Sequence, residues 1–535
     1  MEKSPAKVFI YDTTLRDGAQ GEGMALSTAD KVKIALKLDQ LGIDFIEGGW
    51  PASNPKDLEF FRMMKKKDLN HARLSAFTST RRPGYAAAED INLTTVLDLG
   101  VQVAAIVGKA WDFQVTAALE TSLEENLEMV EDSIRFLCER GVEVIFDAEH
   151  FFDGFKQNQQ YAMEVVARAA KAGSSWIALC DTNGGALPEE IAAAVEAITS
   201  TIDTPLAIHT HNDGGLAVAN TLAAVRAGVR QVQGTINGYG ERCGNANLCS
   251  VIPNLELKMG YQCVGAERLR LLAEVSHYVS EISNMPHYGN QPFVGRAAFA
   301  HKGGIHVSAI LKNSETYEHV NPEAVGNRRR VLVSELAGIS NLKHKAQEFG
   351  LDVAALPDAG RPVIEYIKQL EHQGYQFEGA DASLELLLRR AFGVYKDYFA
   401  LENAKVMVDK RGDEEFNSEA TVKVKVDKMV VHTAAEGDGP VNALDKALRK
   451  ALLHLYPCIA EFHLSDYKVR VLDETDGTGA AVRVMIETAD ATSTWCTVGV
   501  SENIIEASFQ ALMDSFNFAL LKRGARPISG EDASS

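Results

Sequence analysis

A chain of 535 residues is longer than one hydrophobic core serves, so two or three domains are expected. With 46% hydrophobic and 24% charged residues the composition is that of a soluble globular protein. Asp and Glu outnumber Lys and Arg 73 to 54, a net charge of −19, which argues against nucleic-acid or membrane partners while leaving room for a local basic pocket.

The opening residues, Met1–Lys7, run into a strand without the apolar stretch of a signal peptide. No apolar run is long enough to cross a bilayer. The 7 cysteines, an odd number without CxxC spacing, suit reduced thiols, so a cytoplasmic protein is expected.

From Val8 to about Tyr261 a strand–helix alternation repeats eight times. Strand candidates begin at Val8, Asp44, Arg73, Gln102, Glu143, Trp176, Pro205 and Gln231. Each is short and apolar, and most end in polar residues or glycine, as buried parallel strands should. Ser27 and Ser122 open helices. Ser122–Glu125 has the spacing of a capping box, and Leu123, Leu127, Val130, Ile134 and Leu137 then share one face. Eight βα units over this length predict a (β/α)8 TIM barrel, with a doubly wound open sheet as the alternative.

Residues 266–400 read as a mostly helical linker subdomain with a polar, glycine-containing stretch from His287 to Gly304. From about Ala404 the pattern changes. Glu419–Val426 alternates strictly, and a helix with Leu444, Leu448, Leu452 and Leu455 on one face follows Pro440. Strands at Tyr467–Asp473, Ala480–Thr488 and Thr494–Val500 and a helix with Ile505, Phe509, Leu512 and Phe516 repeat the theme. The expected division is therefore a barrel over 1–265, a linker and helical subdomain over 266–400, and an α+β regulatory or dimerising domain of two βββα units over 401–525. A disordered tail is expected at 526–535.

The chemistry gathers at strand ends. In His209-Thr-His-Asn-Asp213, two histidines at i and i+2 on an extended segment point the same way, at the carboxyl end of the seventh strand. Neutral imidazoles so placed are good ligands for a divalent metal. The first strand ends in Asp12-Thr-Thr-Leu-Arg-Asp-Gly18, where Asp17 offers a hard oxygen and Arg16 a forked cation. The eighth runs into Gly238-Tyr-Gly-Glu-Arg-Cys-Gly-Asn245, whose glycines permit close backbone approach and whose Asn245 offers a carbonyl oxygen. Strands one, seven and eight are neighbours in a closed barrel. Asp17, His209, His211 and Asn245 thus form a mixed oxygen–nitrogen set that suits Mg or Mn and also admits Zn.

The combination DTTLRDGAQ, HTHND and GYGERCGN resembles the isopropylmalate, homocitrate and citramalate synthase family of acyl-CoA condensing barrels. The resemblance continues through Phe299–His306, Thr316–Pro322 and the GDGPVNAL stretch at 437–444, so it covers nearly the whole chain. The segments FIEGGWPASNPKD and DAEHFFDGFK most resemble the branch that condenses acetyl-CoA with pyruvate, the first step of a threonine-independent route to isoleucine. The resemblance implies an acyltransferase in which Arg16 stabilises the carbonyl or enolate charge and Thr182 donates to the substrate carboxylate. It makes Glu149 the catalytic glutamate, with Asp147 a candidate two residues away, and Asp181 a supporting or structural carboxylate. It places His306, rather than His301, and Tyr317 at the barrel mouth of a partner subunit, so that a homodimer shares its active sites. It further implies feedback control through the C-terminal domain, by isoleucine on this branch. Phe151, Phe152 and Trp50 are possible fillers of a small acceptor pocket, though core packing is the plainer reading. The rival readings are the branch using 2-oxoisovalerate, an acyl-CoA lyase, in which Cys243 would lie in the wrong loop, and a noncatalytic amino-acid sensor.

Overall fold

The computed structural model describes residues 5–333, 339–351, 360–410, 416–472 and 479–527. Eight parallel strands close a barrel: β1 (Phe9–Asp12), β2 (Phe45–Glu47), β3 (Arg73–Ser79), β4 (Val103–Lys109), β5 (Glu143–Glu149), β6 (Trp176–Asp181), β7 (Leu206–Thr210) and β8 (Gln231–Gly234). The order follows the chain, and β1 pairs with both β2 and β8, the latter from Phe9↔Gln231 to Asp12↔Gly234. That closure excludes the open sheet. Strand starts differ from the sequence reading by at most one residue, which is ordinary fraying.

The helix Thr28–Leu41 begins at a full capping box, Ser27 and Asp30 each accepting from the other's backbone N–H, and ends at Gly42 in the left-handed region, φ +88°. The helix Leu123–Cys138 has only half of the expected box: Ser122 caps Glu125 N–H, but the Glu125 carboxylate is taken by Arg81 and by Gly84 N–H. Its Leu127, Val130, Ile134 and Leu137 are buried as predicted, with Leu123 packed at the edge of the same core. Inside the barrel Tyr11, Phe45, Phe77, Val103, Ala105 and Ile145 form one apolar cluster.

The chain forms two compact units. The first comprises the residues through Phe299 together with Glu318–Arg329; the second comprises Ala300–Tyr317 and everything from Arg330 onward. Helices Ala266–Leu269 and Leu272–Ile282, expected in the linker, pack on the barrel helix Thr28–Leu41. Glu318–Arg329 rejoins the barrel unit, closed on itself by a two-bond fork from Arg329 to the Glu318 carboxylate.

In the second unit, β9 (Ala300–His301) and β10 (Arg330–Val331) form a short parallel ladder. Helices Ile339–Glu348, Gly360–His372 and Asp381–Ala391 bury Leu342, Ala346, Ile364, Ile367 and Leu384. The two βββα repeats follow: β11 (Ala400–Asp409), β12 (Asn417–Val426), β13 (Met429–Gly437) and helix Pro440–Leu452, then β14 (His463–Val471), β15 (Val482–Ala489), β16 (Thr494–Ser501) and helix Ile504–Lys522. Both sheets are antiparallel, and the alternation in β12 buries Ala420, Val422, Val424 and Val426. Leu455 lies beyond the helix it was assigned to, yet is buried in the same core. Asp473 and positions 528–535 of the expected tail lie outside the described residues. Among the described residues no helix is long and apolar enough to cross a membrane.

Candidate active site

The turn after β1 is tied by Asp12, whose carboxylate accepts from Thr14 N–H (2.9 Å) and Thr14 O–H (2.8 Å). Burial pushes the Asp12 carboxyl up to about 7, against those two bonds. The turn delivers Arg16 and Asp17 into the barrel mouth. Asp17 is buried, with Oδ2 3.4 Å from His209 Nε2 and 3.8 Å from His211 Nε2. The two Nε2 atoms are 3.3 Å apart, and the three ligand atoms all lie within 4.8 Å of one another. Burial alone would raise the Asp17 carboxyl; Arg16 and the imidazoles outweigh it and hold it well below the usual range. Burial would lower His209, but contact with Asp17 raises it, whereas burial and the neighbouring His209 push His211 down to about 4.

His211 is bridged to Asn245, which brings the loop after β8 to the cluster. Asn245 Nδ2 donates to Asp17 Oδ1 (3.0 Å) and to the Tyr239 carbonyl (3.2 Å). Its Oδ1 is buried without a hydrogen-bond partner. One carboxylate, two imidazoles facing nitrogen to nitrogen and an unpartnered amide oxygen fit a divalent cation by donor chemistry. The glycines of the loop are required by shape. Gly244 has φ +84°, and a Cβ there would sit 1.9 Å from the Gly238 carbonyl oxygen. Arg242 clasps the loop to its neighbours, with two bonds to Asp213 (2.8 and 2.9 Å) and one to the Thr182 carbonyl (2.6 Å).

Arg16 is fixed by a residue that the sequence reading passed over. Its Nε donates to Glu47 Oε2 (2.6 Å) while its guanidinium lies 4.0 Å from the centre of the Phe77 ring. Glu47, at the end of β2, is fully buried, and its other oxygen accepts from Tyr11 O–H (2.8 Å). The signal was an acidic residue inside an apolar strand, which demands a partner. The contact between Arg16 and Asp17 is the weaker one, at 3.4 Å.

Glu149 ends β5 and is ion-paired with Lys109, its register partner at the end of β4. Asp147, two residues earlier, is deeper in the barrel, where burial pushes its carboxyl up to about 7. Thr182 Oγ1 accepts from His150 N–H (2.8 Å), so its own O–H remains available as a donor. Asp181 accepts from Gly185 and Ala186 N–H and from Asn220, a structural role. Arg16, Asp17, Asp147, Glu149, Thr182, His209 and His211 all line one cavity of about 460 Å³, with Trp50, Phe77, Lys109 and Arg242. Trp50 therefore does face the cavity, whereas Phe151 and Phe152 are packed in the surrounding core. Cys243 is exposed on the loop.

His306 and Tyr317 belong to the second unit, outside the barrel cluster. They stack on each other, ring centres 4.2 Å apart and planes 27° apart, and both are exposed.

Comparison with known proteins accounts for this layout. The model described as HMGL-like matches residues 7–275, the one described as homocitrate synthase post-HMGL domain-like matches 293–374, and that of the LeuA allosteric (dimerisation) domain matches 378–520. The chain is 53% identical to an (R)-citramalate synthase of Aquifex aeolicus over 96% of this chain and 98% of that one. It is 52% identical to an (R)-citramalate synthase of Geobacter sulfurreducens, with the same coverage of 96% and 98%. A probable 2-isopropylmalate synthase of Methanopyrus kandleri covers 96% and 98% at 33% identity, a more distant relation. The chain belongs to the HMGL-like family, among its (R)-citramalate synthases.

Proposed function

We propose that this protein condenses acetyl-CoA with pyruvate and water to give (R)-citramalate and CoA, with a divalent metal held by Asp17, His209 and His211 and flanked by Asn245. The observation that carries the reading is the convergence of those three ligands, buried, at the wall of a barrel cavity in a chain of this family. A bound Mg or Mn ion, or Zn, supplies Lewis acidity to the ketone oxygen of the oxo acid.

The remaining roles fall to side chains. Arg16, held by Glu47 and Phe77, presents its other N–H groups to the cavity as preorganised donors for the oxygen that gains charge. The Thr182 hydroxyl, its oxygen engaged by His150 N–H, donates to the substrate carboxylate. The methyl of acetyl-CoA is a weak carbon acid and needs a positioned base. His306, stacked on Tyr317, is that base, taking the methyl proton as the carbon–carbon bond forms at the ketone carbon. Glu149, beside Lys109, carries protons at the ketone oxygen and at the water that cleaves the thioester. His306 and Tyr317 serve the barrel of a second copy, so the active assembly is a homodimer. The tandem βββα repeats take isoleucine as feedback effector. The seven cysteines, an odd number without CxxC spacing, accord with a cytoplasmic setting.

The test is CoA release from acetyl-CoA by metal-stripped protein resupplied with Mg or Mn, offering pyruvate and 2-oxoisovalerate separately. Metal-dependent preference for pyruvate is expected. Preference for 2-oxoisovalerate would reassign the acceptor, and turnover with neither would remove the condensation reading.

A further inference from the structure

We propose that Gln233 and Asp147 are positioning residues that set the protonation pattern of the His209 ring, turning its Nε2 lone pair toward Asp17, His211 and a bound cation. Gln233 is the register neighbour of His209 across the β7–β8 ladder, and both side chains are buried inside the barrel. Its Oε1 lies 2.9 Å from His209 Nδ1. Its Nε2 donates to Asp147 Oδ1 at 3.0 Å, reaching across the interior to β5. The three groups form a continuous chain from a carboxylate to a metal-ligating ring.

The direction of the chain follows from donor and acceptor chemistry. When ionised the Asp147 carboxylate can only accept, as it does from the Gln233 NH2 at 3.0 Å, so the amide nitrogen faces it. The amide oxygen is thereby left facing the imidazole, and Nδ1 must carry a hydrogen to meet it. Nε2 is then the nitrogen free to ligate. An amide alone could turn over and offer either end to the ring; Asp147 removes that freedom. His211 lacks such a device, since its Nδ1 is buried without a hydrogen-bond partner. Orientation by a second layer of residues falls on His209, the ligand nearer to Asp17.

The inference rests on the metal reading above, and the test separates the two. Asp147 also lines the cavity, so turnover alone is ambiguous and the primary readout is Mn2+ binding to substrate-free protein, with free Mn2+ counted by electron paramagnetic resonance. Gln233→Leu is expected to weaken Mn2+ binding by about 10–100-fold. Gln233→Glu, which sets two carboxylates face to face, is expected to weaken it as well. Adding Asp147→Asn to Gln233→Glu reverses the polarity of one bond, restores the chain and recovers most of the affinity, which a role in packing alone would not do. Unchanged affinity in Gln233→Leu, or a double variant no tighter than Gln233→Glu, overturns the proposal. Metal-free protein labelled with 15N-histidine gives an independent reading at mildly alkaline pH, the His209 signals being identified by their loss in His209→Gln. A protonated, pyrrole-type Nδ1 is expected, and a pyridine-type Nδ1 overturns the proposal. If the unmodified protein binds no Mn2+, the metal reading fails, and the 15N spectrum still decides the hydrogen-bonded chain.

Discussion

Replacing Glu47 by glutamine tests whether a buried charge, rather than shape, holds Arg16 in place. Glu47 is fully buried and the Arg16 side chain is 14% exposed. The amide can satisfy every hydrogen bond that the acid makes. Its oxygen accepts from Arg16 Nε, its NH2 donates to the Tyr11 oxygen, and the Tyr11 O–H, released from the acid, turns to the Ser75 oxygen 3.0 Å away. What remains is the charge. Breaking a buried pair by removing one partner costs about 3–5 kcal/mol. Arg16 retains Asp17 at 3.4 Å, so the lower end, about 3 kcal/mol, is expected. Glu47→Leu, which also strips the acceptors from Arg16 and Tyr11, should cost about 1–3 kcal/mol more. Urea unfolding followed by tryptophan fluorescence is the assay, in a Trp495→Phe background so that Trp50, Trp111 and Trp176 report on the barrel. Trp495 Nε1 is buried without a partner, so that background loses no hydrogen bond. Turnover should fall by about 10²–10³-fold in Glu47→Gln with Mn2+ affinity retained, because the role proposed for Arg16 is donation to developing charge and Glu47 lies outside the proposed metal ligands. Stability within about 0.5 kcal/mol of the unmodified protein would refute the charge argument. Lost stability with full turnover would refute the role given to Arg16.

Three further outcomes are expected. Glu149→Gln should lower turnover by about 10²–10⁴-fold while leaving Mn2+ binding intact, and parallel loss of both in rate and titration measurements would make Glu149 part of the metal site instead. Gly244→Ala, whose Cβ would collide with the Gly238 carbonyl, should displace Asn245 and cost about 10²-fold in turnover, with the barrel melting temperature nearly unchanged. Burial would raise the Asp39 carboxyl, but three backbone N–H groups, those of Ala72 (2.7 Å), Asn70 (2.9 Å) and His71 (2.8 Å), hold it lowered. A depressed acid stabilises the fold fully above its unfolded value, about 3.9, and loses that contribution as pH falls through the folded value. Asp39→Ala should therefore cost about 2–4 kcal/mol near neutrality and flatten the acid limb of the stability profile, as measured by denaturant unfolding between pH 2 and 7.

Which parts of this molecule were legible from residues alone has a geometric explanation. Alternation and helical period report which face of an element is buried, so β1–β8, the buried row of β12 and the face of Leu123–Cys138 could all be placed. Eight strands imply closure, and closure makes β1, β7 and β8 neighbours. Asp17 could thus be set against His209 and His211, nearly two hundred residues away, without knowing the register. Contacts that depend on register were a different matter. Lys109 meets Glu149, and Gln233 meets His209, because each pair is level in its ladder; Gln233 reaches Asp147 because both point inward at the same height. Strand starts known to within a residue cannot supply this, since a one-residue slip turns a side chain to the opposite face. The second unit shows the same limit at larger scale. Its chain leaves at Ala300, returns to the barrel unit at Glu318 and leaves again at Arg330, so no single cut in the sequence separates the units. What the strands did carry was a quieter signal: Glu47 in FIE, Asp147 in VIFDAE and Gln233 in QVQG are polar groups in runs otherwise fit for burial. Burying such groups is costly unless they are paired. Each therefore announces a partner inside the barrel, and the three found here, Arg16, Gln233 and His209, all belong to the site or to the chain of bonds that holds it.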